Sequence, residues 1–380
     1  MALRERIRHE GPLSFRDVMQ AALYDAECGY YTTLTRFDDF LTSPEVHPAF
    51  GWLLGRQALE VWEVLERPRP FCILELGGGS GALAETLLEY LRPRVSELVY
   101  VIDEPSPALR QTQQGRLRRP EFRWSSEQSA HLVVANEVAD ALPVHRMVMR
   151  EGELHELRVT VDASDALTWV EADSVPEQVE TYFQQVGVRP REGAVSEVST
   201  GLPQWTHHLA DRLDRGVAII LDYGYTAEQL FSRKQGTLLT YWRHMLGSDP
   251  LVRLGEQDIS AHVDFSCIAM AAQQAGLRVV GVTSQRTLLR HLGIGALIDS
   301  ARAPLHRARL SDLVDPHGLG RIGALFLARG LTDYAPVGLC GGRDWPSDDT
   351  GPTLDDDSAF GDLWREAFVE QAARVSDGER

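Results

Sequence analysis

The sequence predicts an α/β fold built on a doubly wound, mostly parallel sheet. An apolar run at 71–76 leads into a glycine-rich turn at 77–81, and helical spacing resumes directly after it. Strand-like and helical segments then alternate, and a later apolar run ends in Asp222-Tyr223. This pattern is typical of nucleotide-type sheets. The strands predicted for the sheet are 71–76, 98–102, 132–135, 217–223, 277–283 and 322–328.

The turn at 77–81 holds four glycines in five positions. Glycine tolerates positive φ and has no Cβ, so this backbone can approach a ligand closely. A phosphate loop would need Lys and then Ser or Thr after the last glycine, and Ala82-Leu83 stand there instead. Glu75 suits a cofactor with an ammonium and a sulfonium better than a pyrophosphate. The turn therefore favours S-adenosylmethionine over NAD, with a plain strand-to-helix turn as the alternative.

The composition is that of a globular protein with room for one large domain and an insertion, or for two domains. The chain has 380 residues, of which 43% are hydrophobic and 24% charged. Its net charge of -17 argues against nucleic acid as a partner, although a local basic patch stays open. An acidic chain would suit a cationic substrate, and it would equally serve solubility.

The four cysteines are far apart in the sequence and form no metal-binding pattern. They are Cys28, Cys72, Cys267 and Cys340. We therefore expect no metal site and no disulfide framework, and a reducing compartment. The sequence contains no apolar stretch long enough to span a membrane and no apolar signal core at its start. We expect a cytoplasmic, bacterial protein without a membrane partner.

The chain divides into four predicted regions. An N-terminal helical extension with an active-site loop covers 1–66, and the sheet domain covers 67–143 and 214–330. Antiparallel strands and helices at 144–213 would form an inserted lid or substrate wall. An acidic tail with a short amphipathic helix would cover 331–380. Further helices are predicted from a Ser14 cap to Leu23, at 48–66, over most of 176–213 and at 257–275.

Polar residues stand at the end of each central strand. Because ligands bind outside the carboxyl ends of parallel strands, we expect these residues to converge. An acidic residue after the second strand can accept both ribose hydroxyls, so Glu104 or its neighbour Asp103 is the predicted ribose ligand. A solvated carboxylate is the alternative for either one. The polar strand ends are Glu75, Asp103-Glu104, Asn136-Glu137 and Asp222-Tyr223.

The stretch from Asn136 to Pro143 suggests an acceptor site. If a helical turn follows the strand, Glu137 and Asp140 lie on one face, and Asn136 adds a carbonyl and an amide. Two carboxylates could hold a guanidinium and localise its charge on the side away from the reacting nitrogen. The alternative is an ordinary helix start, with an Asn cap and acids in the first turn.

Several separated motifs resemble the MidA-like S-adenosylmethionine-dependent methyltransferases, a family that includes a mitochondrial complex I assembly arginine methyltransferase. The resemblance runs from about residue 11 to about residue 330. The motifs are GPLSFRDVMQAALYDAECGYY (11–31), DFLTSPEV (39–46), ELGGGSG (75–81), EPSPALR (104–110), NEVADALPVH (136–145), LDYGY (221–225) and AHVDF (261–265).

The resemblance implies a class I methyltransferase fold, with a seven-stranded Rossmann-like sheet and an insertion after the fourth strand. It also implies roles for particular residues. The cofactor, S-adenosyl-L-methionine, would be bound by Glu75, Gly77, Gly79, Gly81, Glu104, Asp39, Thr42 and Ser43. The catalytic residues would be Asn136, Glu137, Asp140 and Glu45. The chain departs from the family at Gly78, where Pro is usual, at Ser80, at Asp38, and at Val138-Ala139, where an aromatic pair is usual.

The activity expected from the residues and the resemblance together is transfer of a methyl group from S-adenosylmethionine to an arginine of a partner protein. Two alternatives stay open: methylation of a small molecule, and a non-catalytic assembly factor that binds the cofactor. An NAD-dependent oxidoreductase is the weakest rival. A homodimer is also left open.

Overall fold

The structure is a computed structural model that describes residues 2–33, 42–243 and 245–341. Predicted site residue Asp39 and the predicted helix near 360–375 lie outside the described residues. The chain folds into two compact units, each made of three chain segments. Unit 1 contains residues 1–40, 139–205 and 224–268, and unit 2 contains residues 41–138, 206–223 and 269–380.

The described residues form these helices: α1 (Ala2–Glu10), α2 (Phe15–Tyr24), α3 (Tyr30–Thr33), α4 (Ser43–Val46), α5 (Ala49–Val64), α6 (Ala82–Leu91), α7 (Pro107–Arg116), α8 (Glu177–Val186), α9 (Leu202–Asp211), α10 (Ala227–Phe231), α11 (Phe265–Gln274), α12 (Gln285–His291), α13 (Ile294–Ser300), α14 (Pro304–Asp312) and α15 (Val337–Cys340). Short 3-10 helices lie at Ala139–Ala141 and Leu319–Arg321. Of the helices in the described part, none is both long and apolar enough to cross a membrane.

The described strands are β1 (Leu13–Ser14), β2 (Phe71–Leu76), β3 (Leu98–Asp103), β4 (Phe122–Trp124), β5 (Ala130–Asn136), β6 (His145–Arg150), β7 (Glu153–Val161), β8 (Leu167–Ala172), β9 (Val195–Val198), β10 (Leu213–Asp222), β11 (Gly224–Tyr225), β12 (Leu239–Trp242), β13 (Met245–Gly247), β14 (Asp258–Ser260), β15 (Val263–Asp264), β16 (Arg278–Ser284) and β17 (Gly323–Arg329).

Unit 2 is built on the predicted seven-stranded sheet. Its strand order is β16-β17-β10-β5-β2-β3-β4. The strands from β10 to β4 pair in parallel, and β17 is antiparallel to both of its neighbours. Strand β5 is the fourth of this sheet along the chain, and the chain leaves the sheet after it, as predicted. The predicted α/β fold with a mostly parallel sheet is therefore confirmed.

Helix α5 packs against the sheet of unit 2, although the sequence places it in an N-terminal extension. Its apolar residues enter the core that also contains β2 and α6. Two glycines make this contact close, since a Cβ on Gly51 would lie 1.9 Å from Oγ1 of Thr86, and one on Gly55 would lie 2.7 Å from the Tyr90 ring. The predicted boundary at 66 is wrong for this reason: one face of the helix is complementary to α6.

Unit 1 contains a second sheet of five antiparallel strands. Its order is β1-β7-β6-β9, and β8 pairs with the free side of β7. The predicted strands of the insertion are present, and β1 and α2 from the start of the chain join them. The predicted Ser14 cap is confirmed, because its Oγ accepts a hydrogen bond from the Asp17 amide at 3.1 Å.

Three predicted boundaries differ from the structure. Strand β9 interrupts the predicted helical stretch 176–213, and it is held by pairing with β6. The predicted helix 257–275 begins only at Phe265, since β14 and β15 occupy the residues before it. The acidic tail cannot begin at 331, because Leu331 and Tyr334 are buried in the core of unit 2.

Candidate active site

The glycine turn joins β2 to α6 in unit 2. Three of its glycines have positive φ, namely +66° at Gly77, +52° at Gly79 and +84° at Gly81. A Cβ on Gly77 would lie 2.9 Å from Cγ2 of Val138, in the turn after β5. Side chains at these positions would strain the backbone, and one at Gly77 would also collide with its neighbour. The turn thus brings the ends of β2 and β5 together, as expected for this class of sheet.

Glu75 is buried beneath this turn, with only 2% of its surface exposed. The hydroxyl of Tyr100, on the neighbouring strand β3, donates a hydrogen bond to its Oε2 at 2.9 Å. Among the described residues, no cation lies within ion-pair distance of it. Burial raises the pKa of Glu75 to about 8, against the hydrogen bond from Tyr100 and together with the negative charge of Glu104. The fold therefore holds a carboxyl group here without supplying a positive partner.

Glu104 follows β3 and is also buried. Its oxygens accept hydrogen bonds from the Ser106 amide at 3.0 Å and from Nε2 of Gln113 at 3.1 Å. Burial raises the pKa of Glu104, and these bonds oppose the rise. A carboxylate has about four acceptor positions, so Glu104 keeps room for hydroxyl donors. Asp103 is already paired, since its Oδ2 accepts a hydrogen bond from Nη1 of Arg212 at 2.8 Å. Glu104 is therefore the better ribose ligand of the two.

Glu45 lies on α4, and its carboxylate accepts a hydrogen bond from the hydroxyl of Ser80 in the glycine turn. Nη1 of Arg116 donates to the same hydroxyl at 3.0 Å, and its Nε donates to Glu85 at 2.7 Å. Glu45 was predicted among the catalytic residues. The structure joins it to the cofactor loop through Ser80, one of the positions where the chain departs from the family pattern.

Ser43 and Thr42 lie at the start of α4. The Ser43 hydroxyl is buried and donates to Oε1 of Gln285 at 2.9 Å, so it serves the fold. Only its backbone amide points to a site residue, donating to Oε1 of Glu137 at 3.3 Å. Thr42 is partly exposed and precedes the helix without a side-chain cap bond.

Asn136 ends β5 and is the only asparagine of the sequence. Its Nδ2 donates to Oε1 of Glu137 at 3.2 Å, which fixes the orientation of the amide. Its Oδ1 is buried and has no hydrogen-bond partner among the described residues. A buried carbonyl oxygen without a donor costs about 1 to 3 kcal/mol, so this atom marks a place for a ligand N–H.

Glu137 has a φ of +53°, in the left-handed region that residues with a Cβ seldom adopt. The turn is held from β10: the Glu137 amide donates to the Leu221 carbonyl at 2.8 Å, and the Val138 amide donates to Oδ2 of Asp222 at 3.1 Å. Strain of this kind persists only where neighbouring contacts enforce it, and it is common at functional sites. Asp222, at the end of β10, therefore helps to hold the turn Asn136–Glu137 at the end of β5.

The prediction of one helical face for Glu137 and Asp140 is wrong. The 3-10 helix begins at Ala139, after the left-handed residue, so no helical turn contains both carboxylates. Asp140 also belongs to unit 1, whereas Asn136 and Glu137 belong to unit 2. Its role beside them stays a prediction.

Within unit 1, the surroundings of Asp140 are acidic. The Tyr31 hydroxyl donates to Oδ1 of Asp258 at 2.7 Å. Burial raises the pKa of Tyr31 well above its usual value, and the charges of Asp258, Tyr24 and Asp140 add to the rise. The Tyr24 hydroxyl donates a hydrogen bond to the backbone carbonyl of Ala141, the residue after Asp140. The sequence does not point to Asp258, because the helix predicted over 257–275 covers the residues that form β14.

Two other site residues were missed in unit 2. Tyr100 holds Glu75, and Gln113 links the loop to Glu104 by donating from Nε2 to the Gly79 carbonyl at 2.9 Å as well. Nε1 of Trp124 fixes the Gln113 amide by donating to its Oε1 at 2.9 Å. The sequence carries no local signal for these contacts, since each depends on strand register or on helix packing.

Comparisons with known proteins identify the family of the chain. Residues 53–283 match the model of a family described as "Putative S-adenosyl-L-methionine-dependent methyltransferase". The chain belongs to this family. It is 29% identical to the Drosophila melanogaster "Protein arginine methyltransferase NDUFAF7 homolog, mitochondrial", covering 89% of this chain and 87% of that protein. It is 26% identical to the human protein arginine methyltransferase NDUFAF7, covering 83% and 79%.

One similar solved structure bears on the cofactor. A Burkholderia thailandensis protein bound to S-adenosyl-homocysteine superposes with a TM-score of 0.81. The two are 29% identical, and the match covers 90% of this chain and 94% of that chain. The chain is thus an S-adenosylmethionine-dependent methyltransferase with the Rossmann-like fold of the family.

The residues of unit 2 fit this cofactor. The glycine turn offers backbone that no Cβ obstructs, and Glu75 offers a carboxyl group without a cation of its own. Glu104 can accept bonds from ribose hydroxyls. These residues would hold S-adenosylmethionine, which supplies an activated methyl group when bound.

Proposed function

We propose that the chain methylates an arginine side chain of a partner protein. The observation that carries the proposal is the turn Asn136–Glu137, where a buried carbonyl oxygen without a donor lies beside a carboxylate in a strained conformation. A guanidinium has five N–H donors in a planar fork and carries a positive charge. Such a group would satisfy both acceptors at once.

The chain's own contribution to the reaction is positioning. In-line methyl transfer requires one acceptor nitrogen to be held in a single place, and an oriented reactant can account for several kcal/mol of the barrier. Asn136 Oδ1 would accept one N–H of the acceptor and thereby orient its plane. The carboxylate of Glu137 would stabilise the positive charge that remains on the acceptor.

The names of the relatives support the same class of acceptor, since several are called protein arginine methyltransferases. An identity of 26 to 29% is too low to carry over a particular substrate, so the acceptor protein is left unnamed. The net charge of -17 suits a cationic acceptor segment.

The test is methyl labelling of a cell extract by the full chain with radiolabelled S-adenosylmethionine, followed by acid hydrolysis of the labelled protein. We expect methylarginine in the hydrolysate. Labelled material that is small and soluble would indicate a small-molecule acceptor instead. Absence of any label, from a chain shown by calorimetry to bind the cofactor, would favour the assembly factor that binds without turnover.

The matched variants are Asn136→Ala and Gln273→Ala. The first removes the unpartnered amide, and we expect labelling to fall by about 100-fold while cofactor affinity stays within a few-fold. The second removes a similar amide from an exposed position on α11 and should change neither the labelling nor the cofactor affinity. Labelling by Asn136→Ala at the wild-type rate would contradict the assignment of the acceptor site.

We also propose a cytoplasmic location, which cell fractionation would check. The four cysteines stand far apart in the sequence and form no CxxC pair, and this pattern supports the expectation of a reducing compartment. A homodimer, which the sequence leaves open, is a separate question, and light scattering of the full chain would test it.

A further inference from the structure

Unit 2 has a groove on the side of α13 and α14. It has a volume of about 190 Å³, and its lining is mostly apolar. The residues that shape it are His47, Trp52, Leu297, Ala301, His306 and Leu310. We call it the α13–α14 groove. It begins directly after α4, the helix that holds Glu45 against the glycine turn.

The rim of this groove is basic, in contrast to the chain as a whole. Residues 301–311 include Arg302, Arg307 and Arg309 and no acidic residue. All three arginines are exposed, and no carboxylate of the described residues lies within ion-pair distance of them. Burial lowers the pKa of His47, and the positive charges of His306 and Arg309 lower it further. The rim therefore attracts anions in a chain with a net charge of -17.

Helix α14 also carries an exposed apolar side chain, since Leu305 is 63% exposed. An apolar floor with exposed apolar and basic groups around it is typical of a site that binds an acidic, partly apolar segment. The expected occupant of the groove is therefore an acidic segment that also carries apolar side chains.

The described chain ends on helices α5 and α12 of unit 2. Helix α15 is held on α5, because the Gly338 amide donates to Oε1 of Gln57 at 2.9 Å. A Cβ on Gly341 would lie 3.4 Å from the ring of His291, the last residue of α12. Helix α13 begins three residues further along the chain. The last described residues therefore lie beside α5, which contributes Trp52 to the groove, and beside α12, which precedes α13.

The composition of the segment 342–380 matches the groove. It contains eleven Asp and Glu residues against four Arg, and among them stand Leu354, Phe360, Leu363, Trp364 and Phe368. With about 3.4 Å of reach per extended residue, its 39 residues can easily span the distance from His291 to α14. We propose that the α13–α14 groove binds the chain's own acidic segment, residues 342–380. The interaction is intramolecular, so its effective concentration is high even if each contact is weak.

Hydrogen exchange of the full chain, followed by mass spectrometry, tests this proposal. The acidic run 355–357 is neutralised in D355N/D356N/D357N, which leaves the groove itself unchanged. We expect amides of 294–312 to exchange at least about threefold faster in this variant than in wild type. High salt should have the same effect on wild type, because the attraction is screened.

The groove is tested by R302E/R307E/R309E, with R118E/R119E as a control on exposed arginines elsewhere in unit 2. The first variant should exchange faster at 294–312, and the control should not. Joining R307E/R309E to D355K/D356K/D357K should restore protection, which a variant that merely loosens α14 would not do.

Equal exchange at 294–312 in wild type and in D355N/D356N/D357N would overturn the proposal, because a bound segment must protect the groove. Protection that rises with protein concentration, together with a doubled mass in light scattering, would assign the groove to a second copy of the chain and would overturn it as well.

Discussion

Two buried glutamates, Glu156 in the sheet of unit 1 and Glu75 in the sheet of unit 2, are treated differently by the fold. In unit 1, Glu156 is 0% exposed, and its oxygens lie 2.7 Å from Nδ1 of His145 and 2.7 Å from Nε of Arg158. Burial acts to raise the pKa of Glu156, but the bonds from His145 and Arg158 outweigh it and the pKa is lowered. In unit 2, the neutral Tyr100 hydroxyl donates to Glu75, no cation of the described residues pairs with it, and its pKa rises to about 8.

The contrast separates a carboxylate that serves the fold from one that serves a ligand. Burying a charge is costly unless a partner is built beside it, and unit 1 provides that partner. In unit 2, no cation of the described residues pairs with Glu75, which lies next to a glycine turn suited to close approach of a ligand. A cofactor with a positive group would supply such a partner.

The largest expected effect is on stability in unit 1. Glu156→Gln removes the negative charge between His145 and Arg158 and leaves their donors poorly matched. Arg158 is partly exposed, which reduces the cost. We expect the free energy of unfolding to fall by about 2 to 4 kcal/mol at pH 7. Denaturant unfolding measures it, and an unchanged midpoint would show that Glu156 does not need its ionic partners.

The matched substitution in unit 2, Glu75→Gln, should raise the free energy of unfolding instead of lowering it. Because the folded pKa of Glu75 lies near 8 and its usual value is 4.5, the folded chain binds this proton more tightly than the unfolded chain. Its stabilising contribution is complete below pH 4.5 and is lost as the pH rises towards 8. Glu75→Gln should remove this loss and stabilise the cofactor-free chain by up to about 3 kcal/mol at pH 7.

Unfolding curves of the two chains between pH 5 and pH 8 measure this effect. The difference between Glu75→Gln and wild type should grow with pH, since only the wild type has a carboxyl group to ionise. A variant that is less stable than wild type at pH 7 would mean that Glu75 has a cationic partner in solution.

The smallest expected effect is a proton released on cofactor binding. A positive group beside Glu75 would lower its pKa, so binding near pH 7 should release up to about one proton. The dissociation constant should fall by up to about tenfold per pH unit as the pH rises towards 8, and it should level off above that. Calorimetry in buffers of different ionisation enthalpy counts the proton. Release of the same proton by Glu75→Gln would assign it to another group.

The sequence predicts those parts of the site that depend on local pattern. Apolar runs that end in polar residues locate the ends of β2, β3, β5 and β10, and the glycines locate the turn between β2 and α6. Strand ends of a parallel sheet meet at one edge, so their convergence follows from the pattern. Local spacing alone therefore leads to Glu75, Glu104 and Asn136.

The rest depends on contacts between distant segments. Tyr100 reaches Glu75 because β2 and β3 pair with Ile73 opposite Tyr100, and Gln113 reaches Gly79 because α7 packs beside the turn. The positive φ of Glu137 is imposed from β10, which no spacing rule near 137 reveals. The local pattern predicts a helix where β14 and Asp258 lie, because β14 is formed by pairing with the distant strand β12.

The interleaving of the two units has a consequence for synthesis on the ribosome. The central strand β10 is flanked by β5, about 80 residues earlier, and by β17, about 100 residues later. Unit 2 is therefore incomplete until β17 has left the exit tunnel, and the growing chain exposes one long apolar edge of β10 until then. Because strand edges of this kind aggregate, the nascent chain should depend on chaperones until nearly all of it has been made.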